Sequence, residues 1–231
     1  MRRNVIAVLM VLLAVLSVSG CKKKVAVIGI SQYGEHDALD KAREGFIRGL
    51  EDAGLTEGKD FTIDYQNASF DDAIATQIAQ NFSSNDVALM LAIATPSATA
   101  CYAAAEDKDI PVVFSAISDP ARAKLVGGNV TGTSDKLPVD AQLDLIRRLQ
   151  PEADTIGIIY TTSELNSVST IAEYEQKAPA YGFTVVTAGI MQQSEVTLAA
   201  DTLIAKGVDC LSNLTDNNVV GVTSSILEKT R

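Results

Sequence analysis

Hydroxyl and amide side chains gather in five short stretches of this sequence: Ser31-Gln32-Tyr33, Thr95-Pro96-Ser97, Ser115 with Ser118 and Asp119, Thr161-Thr162-Ser163 with Asn166 and Ser167, and Thr215-Asp216-Asn217. The carboxylates of Asp119 and Asp216 stand among them. Neutral donors and acceptors in such numbers suit the grip of a small polar or zwitterionic molecule. Thr95-Pro96-Ser97 is the clearest device: Thr95 can cap a helix, Pro96 at the first helical position has no N–H to lose, and the amides of Ser97 and Ala98 stay free for a carboxylate. Ordinary helix capping explains the same three residues, and it equally explains Asn166-Ser167 and Asp216-Asn217. Asp216 can pair with a ligand ammonium or, as a plain N-cap, face its own helix. Asp119, before Pro120, reads as a turn former or as a ligand residue, and His36 as structural.

Catalytic motifs are absent from the sequence. There is no Gly-x-Ser-x-Gly, no phosphate-binding Gly-x-x-x-x-Gly-Lys and no Gly-x-Gly-x-x-Gly. One histidine and no Cys-x-x-Cys leave no metal spacing, so no cofactor and no metal are expected. Binding is the simpler function. The alternatives are an exported hydrolase or isomerase with Asp119 or Asp216 as general base, and a ligand-sensing module for a membrane receptor. A net charge of −10 argues against nucleic acid. Cys101 and Cys210 lie among apolar neighbours and read as free buried thiols, with one disulfide between them as the alternative in an exported compartment.

The chain begins with Arg2 and Arg3, an apolar run from Val5 to Val18, then Ser19, Gly20 and Cys21. This pattern reads as a secretory signal over residues 1–20, and the small residues before the cysteine resemble a bacterial lipoprotein signal. That resemblance implies lipid attachment at Cys21, with residues 21–24 as anchor and linker, and an extracytoplasmic, membrane-anchored protein. The apolar run is shorter than the 18 or so residues that an uncleaved span needs.

Beyond Lys24 the sequence alternates between strand and helix patterns. Val25 to Ile30 is a continuous apolar run, the mark of a strand buried on both faces. Leu39, Ala42, Phe46, Leu50 and Ala53 then recur at helical spacing before Gly54. Strands follow at 61–65, 87–94, 110–115 and 130–133, with helices at 71–82 and 96–105 between them. A second series sets strands at 155–160, 184–188 and 208–211 among helices at 139–149, 166–181, 195–206 and 219–227. This order predicts an α/β protein of two Rossmann-like lobes, each a parallel sheet flanked by helices. The lobes are expected at 25–134 and 135–231, divided at the polar break from Gly132 to Pro138. With three strands, the second lobe reads as truncated at its C-terminus. In such sheets ligands bind beyond the carboxyl ends of the strands, where all the polar stretches fall.

Several segments together resemble the substrate-binding lipoproteins of ABC transporters of the tryptophan/tyrosine type, which have a type I periplasmic-binding-protein fold. They are Glu35 to Asp40 leading into Ala42 to Phe46, Ala94 to Ala98, Ser118 to Pro120, Asn129 to Gly132, Ile156 to Tyr160, Glu164 to Ser167 and Thr215 to Asn217. The resemblance implies capture of an amino acid, often aromatic, between two closing lobes, delivery to ABC permease subunits, and a monomer tied to the membrane by lipid. By position it implies that Thr95 to Ser97 and Asn166-Ser167 hold the ligand carboxylate, that Asp216 holds its ammonium, and that Gln32, Tyr33 and Ser118 line the side-chain pocket.

Overall fold

Val27, Ile28 and Ile30 need cover on both faces, and the strand they form, β1 (Ala26–Gln32), lies inside a five-stranded parallel sheet of order β2-β1-β3-β4-β5. The computed structural model describes residues 25–230; the signal peptide, the Cys21 lipid site and the linker expected from the sequence lie outside the described residues. The other strands of this sheet are β2 (Phe61–Asn67), β3 (Leu89–Ile93), β4 (Val112–Ile117) and β5 (Val130–Ser134). Helices α1 (Asp37–Asp52), α2 (Asp72–Ser84) and α3 (Thr95–Ala105) cross between them. Asp71 starts α2 by accepting from the amides of Ala73 and Ile74 at 2.8 and 3.0 Å. Phe82 of α2 lies so close over β1 that a Cβ on Gly29 would sit 2.8 Å from its ring.

From β5 the chain passes through residues 135–138 into α4 (Val139–Leu149) and a second parallel sheet of order β7-β6-β8. Its strands are β6 (Thr155–Thr161), β7 (Thr184–Ile190) and the short β8 (Cys210–Leu211). Period-two alternation gives β6 two buried faces: Ile156 and Ile158 join a core with Leu143, Tyr174 and Phe183, while Ile159 joins Val196, Leu203 and Val219 on the other side. The helical pattern at 166–181 becomes α5 (Leu165–Lys177) and a 3₁₀ turn (Ala178–Tyr181), because Pro179 cannot continue the α-helical ladder. After α6 (Val196–Ala205), the helix expected at 219–227 is two pieces, α7 (Asn217–Val220) and α8 (Thr223–Lys229), parted at Gly221 and Val222.

Each sheet reverses its winding at the first strand of its series. That leaves a crevice between the ends of β1 and β3 in the first lobe and between those of β6 and β8 in the second. Four of the polar stretches of the sequence sit at these ends, and the fifth, Ser115 with Ser118 and Asp119, sits at the end of β4. Ala94, at the end of β3, is held at φ 77° and ψ 155°, a region that normally only glycine occupies. Its N–H reaches the Ser115 carbonyl at 3.0 Å and its carbonyl accepts from Ala98 at 3.0 Å, so both neighbours hold it there. Ala94→Gly is therefore expected to stabilise the protein by about 1 kcal/mol. Urea unfolding would read this directly, and an ordinary alanine-to-glycine loss of about that size would refute the strain.

Candidate functional site

Ala94, with its positive φ, stands directly before the first turn of α3. Thr95 was expected as the N-cap; Ala94 stands there instead, and no side chain caps this helix. Pro96 keeps its place in the first turn, and the Ser97 hydroxyl accepts from Ser31 at 3.2 Å, joining the ends of β1 and α3. Opposite them, α5 opens at Glu164 and Leu165. A cavity of about 320 Å³ is lined by Asp72, Thr95, Pro96 and Thr99 from one lobe and by Ser163 and Leu165 from the other. Two helix starts from different lobes thus share one opening, and their unpaired amides favour negative charge there.

Beside this opening lies a mouth of about 610 Å³ walled by Tyr33, Phe70 and Asp72 against Ser163, Gln192 and Asn218. The Tyr33 ring meets Phe70 edge to face at 5.9 Å, and its hydroxyl lies 2.8 Å from Asp72 Oδ1. Burial, and then Asp72, push that phenol well above its ordinary range. Gln32 contributes less than expected to any ligand contact. Its Nε2 donates to the Gly34 carbonyl and to Asp40, and its Oε1 accepts from Arg43, all within the first lobe.

Ser118 and Asp119 reach across the cleft. The hydroxyls of Ser118 and Thr215 are 2.7 Å apart, and Ser169 donates to Asp119 Oδ2 at 3.1 Å. His36 Nε2 faces Asn217 Oδ1 at 3.4 Å and makes a third bridge. A β-bulge between Phe114 and Ile117, with Ala116 at φ 58°, aims the Ser118 end of β4 at its partner.

Asp216 is wholly buried. Its carboxylate accepts from Thr161 N at 2.5 Å, Thr161 Oγ1 at 2.8 Å, Ser167 Oγ at 2.7 Å and Val219 N at 3.1 Å. Four donors fill the four lone-pair directions of a carboxylate, so in this conformation no acceptor is left over for a ligand ammonium. Asn166 donates to the Thr215 carbonyl at 2.8 Å and to Glu164 at 3.1 Å, while its own Oδ1, buried, has no partner.

Glu164 is the residue that sequence reasoning left out of the site. It is 1% exposed, and burial followed by the neighbouring Asp216 charge pushes its carboxyl up to about 8. The signal was present in the sequence as an acidic residue just ahead of a helix that starts at a strand's carboxyl end. Such residues are ordinarily solvated caps, and this one is buried under Asn217 and Asn218, which come from a segment 53 and 54 residues further along the chain.

Known proteins resemble this architecture. A curated tyrosine-binding protein of Clostridioides difficile (strain R20291) is 45% identical over 204 residues, covering 86% of this chain and 58% of that protein. The chain thus spans somewhat more than half the length of this curated relative. A crystal structure of an ABC domain in complex with L-Trp from Streptococcus pneumonia aligns with a TM-score of 0.84 at 32% identity, covering 90% of this chain and 71% of that one. The ligand-free, open structure of a substrate-binding protein with adhesive properties from Clostridium difficile aligns at only 0.60 despite 40% identity, covering 88% of this chain and 70% of that one. The chain thus superposes better on the L-Trp complex than on the ligand-free, open structure, although it shares more sequence with the latter. The family description "ABC transporter substrate binding protein" matches residues 26–230, and the chain belongs to that family.

Proposed function

We propose that this chain is the solute-capturing component of an ABC importer and that its cargo is an amino acid, with aromatic ones the first to test. The observation that carries the reading is the shared opening between the starts of α3 and α5, whose amides suit a carboxylate, beside a mouth walled by Tyr33 and Phe70. Thr95 and Ser97, together with the backbone amides of Asn166 and Ser167 in the first turn of α5, grip the carboxylate end. Tyr33 walls the side-chain end, and Gln32 supports it from behind through Gly34 and Arg43. Ser118 and Asp119 close the rim, and Asp216 holds Thr161 and Ser167 in place rather than touching the ligand.

The lobes, residues 25–134 and 135–231, close as a hinge around the ligand. The leader at 1–20 directs export, and lipid on Cys21 keeps the monomer at the outer face of a membrane, within reach of its permease. The relatives' names, one tyrosine-binding and one holding L-Trp, support an aromatic amino acid. A thermal-shift series over the twenty amino acids tests this. A ligand at about 100 times its Kd is expected to raise the melting midpoint by several degrees. No shift with any amino acid would overturn the reading.

A further inference from the structure

We propose that Glu164, together with the unpartnered amide oxygen of Asn166, receives the ammonium group of the ligand, and that capture releases a proton from the Glu164 carboxyl. The inference rests on the reading of the cleft as an amino-acid site and assigns the half of the ligand that the helix starts do not explain.

The argument is an imbalance of acceptors over donors. Glu164 Oε2 is well supplied, by Asn217 Nδ2 at 2.7 Å, Asn166 Nδ2 at 3.1 Å and Asn217 N at 3.2 Å. Oε1 has only a long contact of 3.4 Å from Asn218 Nδ2. The Asn166 amide cannot turn over to mend this, because its Nδ2 faces the Thr215 carbonyl, which only accepts. Asn166 is 4% exposed, and its Oδ1 is one of two buried side-chain polar atoms left without a partner among the described residues. A lost partner at such an atom costs free energy, and a donor that arrives with the ligand would supply the missing bond.

The charges agree. The titratable groups near Glu164 are Asp216, ahead of α7, Tyr33, at the end of β1 and tied to Asp72, and His36, which meets Asn217. Among the described residues no lysine or arginine pairs with Glu164 or Asp216. Two carboxylates buried together without a cation favour keeping a proton, and burial accordingly holds the Glu164 carboxyl at about 8. An incoming ammonium reverses that preference. The carboxylic acid and the ammonium cation become a carboxylate and an ammonium held as an ion pair, and one proton passes to solvent. No bond to carbon is made or broken.

Calorimetric titration of the full-length protein with L-tryptophan and L-tyrosine, in buffers of differing ionisation enthalpy, tests this. About one proton per ligand should be released near pH 6.5, falling toward zero above about pH 8, and affinity should rise with pH across that range by up to about tenfold per unit. Glu164→Gln should abolish the release and weaken amino-acid binding at least about 30-fold. Indole-3-propionate, which lacks the amine, should bind both proteins alike and release nothing. Should the variant fold poorly, proton release by the unaltered protein decides alone. Amino-acid binding without proton release, or with release and affinity unchanged in Glu164→Gln, overturns this assignment and leaves the amino-acid reading standing. Failure of both amino acids to bind the unaltered protein overturns the amino-acid reading and this assignment with it.

Discussion

Asp216→Ala is expected to lower the melting midpoint of the unliganded protein by roughly 10 °C, from a loss of about 4 kcal/mol. One carboxylate here joins the end of β6, the first turn of α5 and the start of α7, through Thr161, Ser167 and Val219. Truncation leaves two backbone amides and two hydroxyls without their acceptor in a wholly buried place, and each unmet donor costs about 1 kcal/mol or more. Asp216→Asn should cost less, since its carbonyl still accepts, but its amide hydrogens would oppose the remaining donors. Thermal unfolding with and without ligand separates the two roles this residue can have. An Asp216→Ala protein that melts with the parent and yet fails to bind would assign its carboxylate to the ligand and refute the structural role given to it here.

Removing the bridges between the lobes acts on a different equilibrium. Ser118→Ala, Ser169→Ala and His36→Ala together delete the contacts to Thr215, Asp119 and Asn217. At about 1 kcal/mol per hydrogen bond, the ratio of closed to open protein should fall by roughly 10²-fold. Apparent affinity for a ligand that binds the closed form falls by up to the same factor, because only the competent fraction binds. Each lobe keeps its own core, so the unfolding transition of the unliganded protein should move little. X-ray scattering of the unliganded protein would report the larger radius of the open form. A triple variant as compact as the parent, with unchanged affinity, would show that these three contacts contribute nothing to closure.

The order of the elements was legible because hydrophobic spacing is a local property. The apolar run at the start of β1, the three-and-four spacing of Leu39, Ala42, Phe46 and Leu50, and the alternation in β6 each need only their own segment to be read. The errors occurred where a distant contact overrode local preference. Thr95 looks like a cap, yet the bonds of Ala94 to Ser115 and Ala98 hold a strained alanine in that position. The last helix looks continuous, but Asp216 caps only its first turn, and the chain breaks at Gly221.

By itself the sequence determined that parallel sheets form, that polar residues collect at their carboxyl ends, and that no catalytic motif stands among those residues, since all three depend on residue type and short-range period. Tertiary structure alone decided which atoms at those ends remain free. Thr161 and Asp216 are 55 positions apart, Ser118 and Thr215 are 97 apart, and His36 and Asn217 are 181 apart, yet each pair is within hydrogen-bonding distance. Such pairings consume the carboxylate that looked most available and bury the one at Glu164 that looked ordinary. A side chain's free valences and its dielectric surroundings are set by whatever folds against it, which its own segment of sequence does not contain.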